Sequence, residues 1–247
     1  MNLKILPKDI AHMFKMDNCK TIGNYVISNT ESGHINHFYI KKHNDYSFIL
    51  LGSMFGLSKE KNPIDFVIEN YFSNNSVYDL DGSFIFVVFL PNHSIEIFSE
   101  RNGLIPLYYR VINDNIAIST ESSDLFYDYS IDDIDFSSVY DLLRYGMLVG
   151  DNTMSKKVKL LQSGTLLTFI NKAVELKRLF KFVHDSSNQI NDEELLLTEI
   201  DKAYENALLK RCDRPENQIA VFLSGGMDSR LIIAYANKCF KNKIKAY

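Results

Sequence analysis

Apolar residues run almost unbroken from Phe84 to Leu90, as in a strand covered on both faces. Pro91-Asn92-His93 ends the run, and Ser94-Ile95-Glu96-Ile97-Phe98 then alternates polar and apolar like a half-buried strand. Pro106 to Ile112 continues in extended character, Asn113-Asp114-Asn115 turns the chain, and Ile116 to Ser119 follows. The pattern predicts a meander of hairpin-linked strands. Upstream, Thr21 to Ile27 and Tyr46 to Leu51 read as strands. Pro63 to Phe72 has helical spacing through Ile64, Val67, Ile68 and Tyr71.

The second half changes character at Asp128 to Asp135, an acidic stretch without sustained period that reads as a connection between domains. Phe136 to Tyr145 follows as a helix with Val139, Leu142 and Leu143 inward. Val158 to Phe169 and Val174 to Phe182 read as strands. From Asn191, taken as the N-cap, a long helix begins with Asp192, Glu193 and Glu194 in its first turn and ends at Lys210-Arg211, a charge order that suits its dipole. Arg214-Pro215-Glu216-Asn217 separates it from a short apolar strand, Ala220 to Leu223. Ser224-Gly225-Gly226 then turns the chain, and Asp228-Ser229 opens a helix through Leu231 to Ala236. A further strand begins in Lys243 to Tyr247.

Composition narrows the setting. A chain of 247 residues with 46% hydrophobic and 23% charged residues is ordinary for globular domains and long enough for a sizeable core. A net charge of -4 supplies no basic stripe for nucleic acid and no polybasic membrane patch. No apolar run approaches the ~20 residues that span a bilayer, and the N-terminus lacks signal-peptide features. Cys19, Cys212 and Cys239 are scattered and odd in number, which argues against a disulfide framework or zinc site. The expected setting is cytoplasmic, with neither nucleic acid nor membrane as partner. Cys19 is expected to be a small buried thiol.

The candidate chemistry lies at Ser224 to Ser229. Backbone N–H groups can approach a polyphosphate where glycines remove the side chain, as at Gly225 and Gly226. Ser224 and Ser229 add hydroxyl donors, the helix supplies its positive end, and Asp228 suits a hydrated magnesium ion. The Walker lysine is absent, so the mode differs from a P-loop. The plainer alternative is a strand–turn–helix in which Ser224 or Asp228 caps the helix and the glycines only turn the chain. After an apolar strand, however, Ser-Gly-Gly-Met-Asp-Ser resembles the pyrophosphate loop of the N-type ATP pyrophosphatases, which adenylate a substrate at the expense of ATP.

Upstream motifs narrow the resemblance. Leu80-Asp81-Gly82-Ser83-Phe84 and the stretch Glu100 to Tyr109 are similar to the glutaminase domain of asparagine synthetase (glutamine-hydrolysing). Gly103, Pro106, Leu107, Tyr108 and Tyr109 match its signature, with Glu100 where that family has Asp and Ser99 where it has Arg. Ser119-Thr120-Glu121 to Leu125, Leu143 to Gly146, and Leu160 to Thr165 continue the series in order, with Ser163-Gly164 where Pro-Gly is usual. Most of these residues are expected to serve fold rather than catalysis, Pro106, Tyr108 and Tyr109 by edge-strand packing. Position 2, where the family has its nucleophilic cysteine, is Asn2, and Leu51-Gly52-Ser53 stands nearest the place of the Asn-Gly-Glu glutamine-binding turn. Glutaminase activity is therefore expected to be lost.

The resemblance implies an α+β N-terminal domain of the Ntn-hydrolase type, with stacked antiparallel sheets and helices, over 1–127. An inter-domain connection and hairpin would occupy 128–190, and the truncated start of an α/β parallel-sheet ATP-pyrophosphatase domain 191–247. It further implies ATP and Mg2+, the latter at Asp228. Ser224, Gly225, Gly226 and Ser229 would grip the pyrophosphate. The small-molecule partners would be a carboxylate together with an amine or ammonia. The protein partner would be a second copy or a completing C-terminal polypeptide. Two readings compete: an ATP-dependent amide ligase, and a non-catalytic binding or scaffold protein. A tRNA-thiolating relative is disfavoured by charge and cysteine placement.

Overall fold

The computed structural model describes every residue except 1, 15, 17, 31–36, 59, 74–76, 186, 188, 213–218 and 241–243. The Arg214 to Asn217 separator and Lys243 lie outside the described residues. The chain forms two compact units: Met1–Met54 with Lys61–Lys181, and Phe55–Glu60 with Phe182–Tyr247.

The first unit stacks two antiparallel sheets. One contains β1 (Asn2–Pro7), β2 (Lys20–Ile22), β3 (Tyr25–Thr30), β8 (Tyr108–Ile112), β9 (Asn115–Ser119) and β10 (Lys159–Leu160), in the order β10-β8-β9-β1-β3-β2. The other contains β4 (Phe38–His43), β5 (Tyr46–Met54), β6 (Gly82–Phe89), β7 (Ile95–Ser99), β11 (Thr165–Ile170) and β12 (Ala173–Arg178), in the order β12-β11-β7-β6-β5-β4.

Strand alternation explains the long apolar run. Ile85, Val87 and Phe89 of β6 point into the core between the sheets, with Leu3, Ile5, Ile27, Ile49, Ile97, Ile118 and Leu167. Phe84, Phe86 and Val88 face outward and are covered by Ile64, Val67 and Ile68 of α2 (Pro63–Phe72). That helix starts where expected because the Asn62 side chain accepts from the Ile64 N–H and Pro63 opens the first turn. On the other outer face Leu6, Ile112 and Ala117 pack with Ile10 and Ala11 of the short α1 (Lys8–Ala11) and with Leu125 and Val158.

Several expectations are corrected. The four strands from Phe84 to Ser119 are not one meander: β6–β7 is a hairpin of one sheet, β8–β9 a hairpin of the other. The connection between Ser99 and Tyr108 crosses from sheet to sheet, because it is too long for a tight hairpin and is folded by its own hydrogen bonds. β8 is no edge strand, since β10 pairs with it through Lys159↔Tyr109. Thr21 to Ile27 is two strands turning at Gly23-Asn24, and Val158 to Phe169 is broken at Ser163-Gly164, where Gly23 and Gly164 take positive φ. The strand expected over Val174 to Phe182 ends at Arg178. Cys19 is exposed beside edge strand β2, its Sγ 3.4 Å from the Met16 carbonyl oxygen.

Helix α3 (Phe136–Tyr145) has the expected limits, capped by Asp135 and ended by Gly146 in the left-handed region. Its facing departs from the expectation: Leu142 is 41% and Leu143 81% exposed, Val139 is half-buried, and Ser138 is its buried residue. The acidic stretch before it is tied into the first unit. Asp128 takes both terminal nitrogens of the buried Arg110 at 2.6 and 2.8 Å, and Asp133 pairs with Lys157 at 2.8 Å. Residues 128–181 thus pack with the sandwich, and 182–190 fall in the second unit.

The second unit holds α4 (Glu193–Arg211), β13 (Ile219–Val221), α5 (Met227–Cys239) and β14 (Ile244–Ala246). The N-cap of α4 is Asp192, not Asn191, because the Asp192 carboxylate accepts from the Leu195 N–H at 3.0 Å. β13 and β14 pair in parallel, giving a strand–helix–strand unit. Tyr204 of α4 and Tyr235 of α5 stack at 5.2 Å, and Tyr235 donates to Asp201. The strand read as Ala220 to Leu223 ends at Val221, and Phe222 is 81% exposed.

Candidate functional sites

Three places matter, two in the first unit and one in the second. The first surrounds Asn2 at the start of β1. Its amide nitrogen donates to Asp124 Oδ2 at 2.9 Å, and its amide oxygen accepts from the Thr120 hydroxyl at 3.2 Å. The Ser119 hydroxyl donates to Asp124 Oδ2 at 2.7 Å and lies 3.3 Å from Asn2 Oδ1. Lys4 Nζ stands 2.8 Å from Asp124 Oδ1. Burial works to raise the Asp124 pKa, but hydrogen bonds from Lys4, Ser119 and Asn2 outweigh it and hold the carboxyl below its usual range. A carboxylate held in this way is a weak base, and a carboxamide nitrogen is not a nucleophile. The cluster clamps β1 to β9 and to the 3₁₀ turn Ser122–Leu125.

The second place is the turn at Glu100, which is only 3% exposed. Its carboxylate accepts from the N–H groups of Asn102 at 2.6 Å and Leu104 at 2.5 Å. Its carbonyl accepts from Gly103 at 3.2 Å and from Gly164 at 2.9 Å. Gly103 has φ +62, and a Cβ there would lie 2.9 Å from the Ser163 Cβ. Leu161 N–H donates to the Leu107 carbonyl at 2.7 Å. The motif around Gly103 and the motif around Gly164, far apart in sequence, thus meet through their backbones.

The third place is the loop between β13 and α5. Gly226 is the N-cap of α5, and neither Ser224 nor Asp228 makes a side-chain cap. Gly225 has φ +79 with open space where a Cβ would stand. The Ser224 and Ser229 hydroxyl oxygens lie 3.2 Å apart, and Ser229 donates to the Gly226 carbonyl at 3.2 Å. Ser224, Gly225, Gly226 and Asp228 are exposed. Five residues of the expected set, Ser224, Gly225, Gly226, Asp228 and Ser229, therefore lie on one short loop and helix start. Among the described residues no three His, Cys, Asp or Glu side chains converge as a metal cluster.

Residues 67–180 match the family described as glutamine amidotransferase domain. The chain is also 24% identical, over 181 residues, to asparagine synthetase [glutamine-hydrolyzing] 1 of Bacillus subtilis (strain 168), a match covering 72% of this chain and 28% of that protein. The chain therefore spans little more than a quarter of the curated relative's length. Two solved structures align at TM-score 0.39. One is the glutamine phosphoribosylpyrophosphate amidotransferase of B. subtilis with ADP and GMP, at 10% identity over 91% of this chain and 51% of that one. The other is described as an allosteric regulatory enzyme of purine biosynthesis, at 11% identity over 99% and 58%.

The matched residues include the Glu100 turn and Asp124, while the Ser224–Ser229 loop lies outside them. Sequence reasoning missed the partners of Asn2. Ser119 and Asp124 sit five residues apart in the Ser-Glu-x-x-x-Leu-like stretch, and only the 3₁₀ turn after β9 brings both to one oxygen cluster. It also missed that Glu100 carries the turn with its side chain, although a carboxylate two to four residues before N–H groups in a Gly-containing turn is a recognisable signal.

Proposed function

We propose that this chain works in an ATP-dependent amide-forming enzyme of the asparagine synthetase kind, with glutaminase chemistry lost. A substrate carboxylate would be adenylated by ATP and then attacked by ammonia or an amine. The observation that carries this reading is the Ser224–Ser229 loop, held between a parallel strand and a helix N-terminus with both hydroxyls on one side. The space beside Gly225 fits close approach of phosphate oxygens to the backbone. Ser224 and Ser229 would donate to those oxygens, and the first turn of α5 would favour their charge. Asp228 would hold a hydrated Mg2+, which when bound neutralises phosphate charge.

Loss of glutaminase chemistry rests on Asn2, whose amide is engaged on both sides by Asp124 and Thr120. That engagement also favours the second reading, a non-catalytic scaffold. Calorimetric titration with Mg-ATP separates the two. The enzyme reading expects saturable binding that Asp228→Ala abolishes, and pyrophosphate release with ATP and at least one carboxylic acid. No release with any acid, together with no ATP binding, sinks it. Glutamate release from glutamine by the native protein would overturn the loss of glutaminase.

A further inference from the structure

One end of the sandwich is ringed by five hairpin turns, those joining β2–β3, β4–β5, β6–β7, β8–β9 and β11–β12. It is the end opposite Asn2, since β1 pairs Asn2 with Thr30 at one extreme and Pro7 with Tyr25 at the other. Between these turns opens a cavity of about 520 Å³ reached by Tyr25, Phe89 and Phe169, within the usual size range of small-molecule sites. Tyr25 and Phe89 have ring centroids 5.7 Å apart, and all three rings are at least nine-tenths buried.

Lys172 is the turn residue out of the ordinary for its conformation. Its φ is +66, where glycine carries no steric penalty, while His93 and Asp114, at +64 and +61, are types that enter this region more readily. All three line this cavity. Side chains kept where the backbone favours glycine point to a use for the side chain. Lys172 and Asp114 pair at 2.7 Å but are each about two-thirds exposed, so their attraction is weak and exchangeable. Lys42 and Asp45, from the β4–β5 hairpin, add a second ammonium and a second carboxylate to the lining.

Two cations and two anions over an aromatic floor discriminate among ligands. A ligand of single charge would meet as much like charge as opposite charge. An uncharged one would pair with none of the four, and Lys172 and Asp114 would keep only their weak bond to each other. A ligand bearing an ammonium and a carboxylate on one apolar frame pairs with both signs. We propose that this cavity binds a free α-amino acid as its zwitterion, its apolar side chain against Tyr25, Phe89 and Phe169. The site shares no residue with the Ser224–Ser229 loop, and it stands whether or not that loop binds ATP.

The test is calorimetric titration of the 247-residue chain with L-leucine, L-methionine and L-phenylalanine, beside the singly charged analogues 3-phenylpropionate and phenethylamine. At least one amino acid should bind saturably, and the analogues about tenfold more weakly or worse. Lys172→Gly should raise the thermal midpoint of the free protein by relaxing the turn, yet weaken amino-acid binding about tenfold or more. Asp45→Asn should weaken binding similarly with the hairpin intact. The proposal is overturned by the absence of saturable binding at millimolar concentration, by equal affinity for the singly charged analogues, or by unchanged affinity in Lys172→Gly.

Discussion

Gly52→Ala should be among the most damaging single substitutions in the first unit. Gly52 lies in β5 opposite Phe84 of β6, at φ +108, outside the regions open to side-chain-bearing residues. An added Cβ would stand 2.0 Å from the Ser83 carbonyl oxygen, 2.9 Å from Phe84 Cα and 2.9 Å from Ile105 Cδ1. The isoleucine methyl can turn away. The two backbone atoms cannot, because β6 is held on its other side by β7, with Ile85 paired to Ser99. Relief requires β5 and β6 to part at this point, at about 1 kcal/mol for each ladder hydrogen bond lost. The backbone strain adds about 1–3 kcal/mol. The sum, roughly 3–5 kcal/mol, is a large part of the ~5–15 kcal/mol that holds a domain. A thermal midpoint roughly 6–20 °C lower follows for a unit of this size. Gly146→Ala is the control: φ is +71 with nothing within 4 Å of the new atom, so only about 1 kcal/mol is expected. Urea unfolding followed by tyrosine signals suits a chain with 14 Tyr and no Trp, and hydrogen exchange of β5 and β6 localises the effect. If Gly52→Ala costs no more than Gly146→Ala, the close approach of β5 to β6 is refuted.

Three further outcomes are expected. The Asp124 carboxyl is held low by Lys4, Ser119 and Asn2, so its contribution to stability is present above the ordinary carboxylate range and vanishes as pH falls through its lowered value. Asp124→Asn should therefore flatten part of the acid-side loss of stability, and an unchanged slope below the ordinary carboxylate range would contradict the network. Arg110→Lys removes the two-pronged contact to Asp128 and the stacking over Tyr127, and should cost about 2–3 kcal/mol in urea unfolding. Leu143→Ser, at a position 81% exposed, should change stability by under about 0.5 kcal/mol, whereas the inward facing read from periodicity demands several times that.

Local signals were legible where the chemistry is local. Asn62-Pro63 and Asp135 start helices with their own side chains, Gly146 ends one, and the Phe84 to Leu90 run reports a strand buried on both faces. The order strand, Ser-Gly-Gly turn, helix around Ser224 was also readable, since glycines and an apolar run constrain only their neighbours. β1 and β4 went unread because Lys4 and Lys41-Lys42 break the apolar pattern, although Lys4 pays for its place by pairing with Asp124.

By itself, the sequence determined the types and limits of most elements and the position of the glycine loop, because dihedral preference and side-chain period act over a few residues. Only the tertiary structure decided that β7 and β8 belong to different sheets, that Leu143 faces solvent, and that Glu100 joins Gly164. It alone set Asn2 against Asp124 and gathered five distant turns around one cavity. These are contacts between residues tens of positions apart, and no local pattern carries the partner's identity.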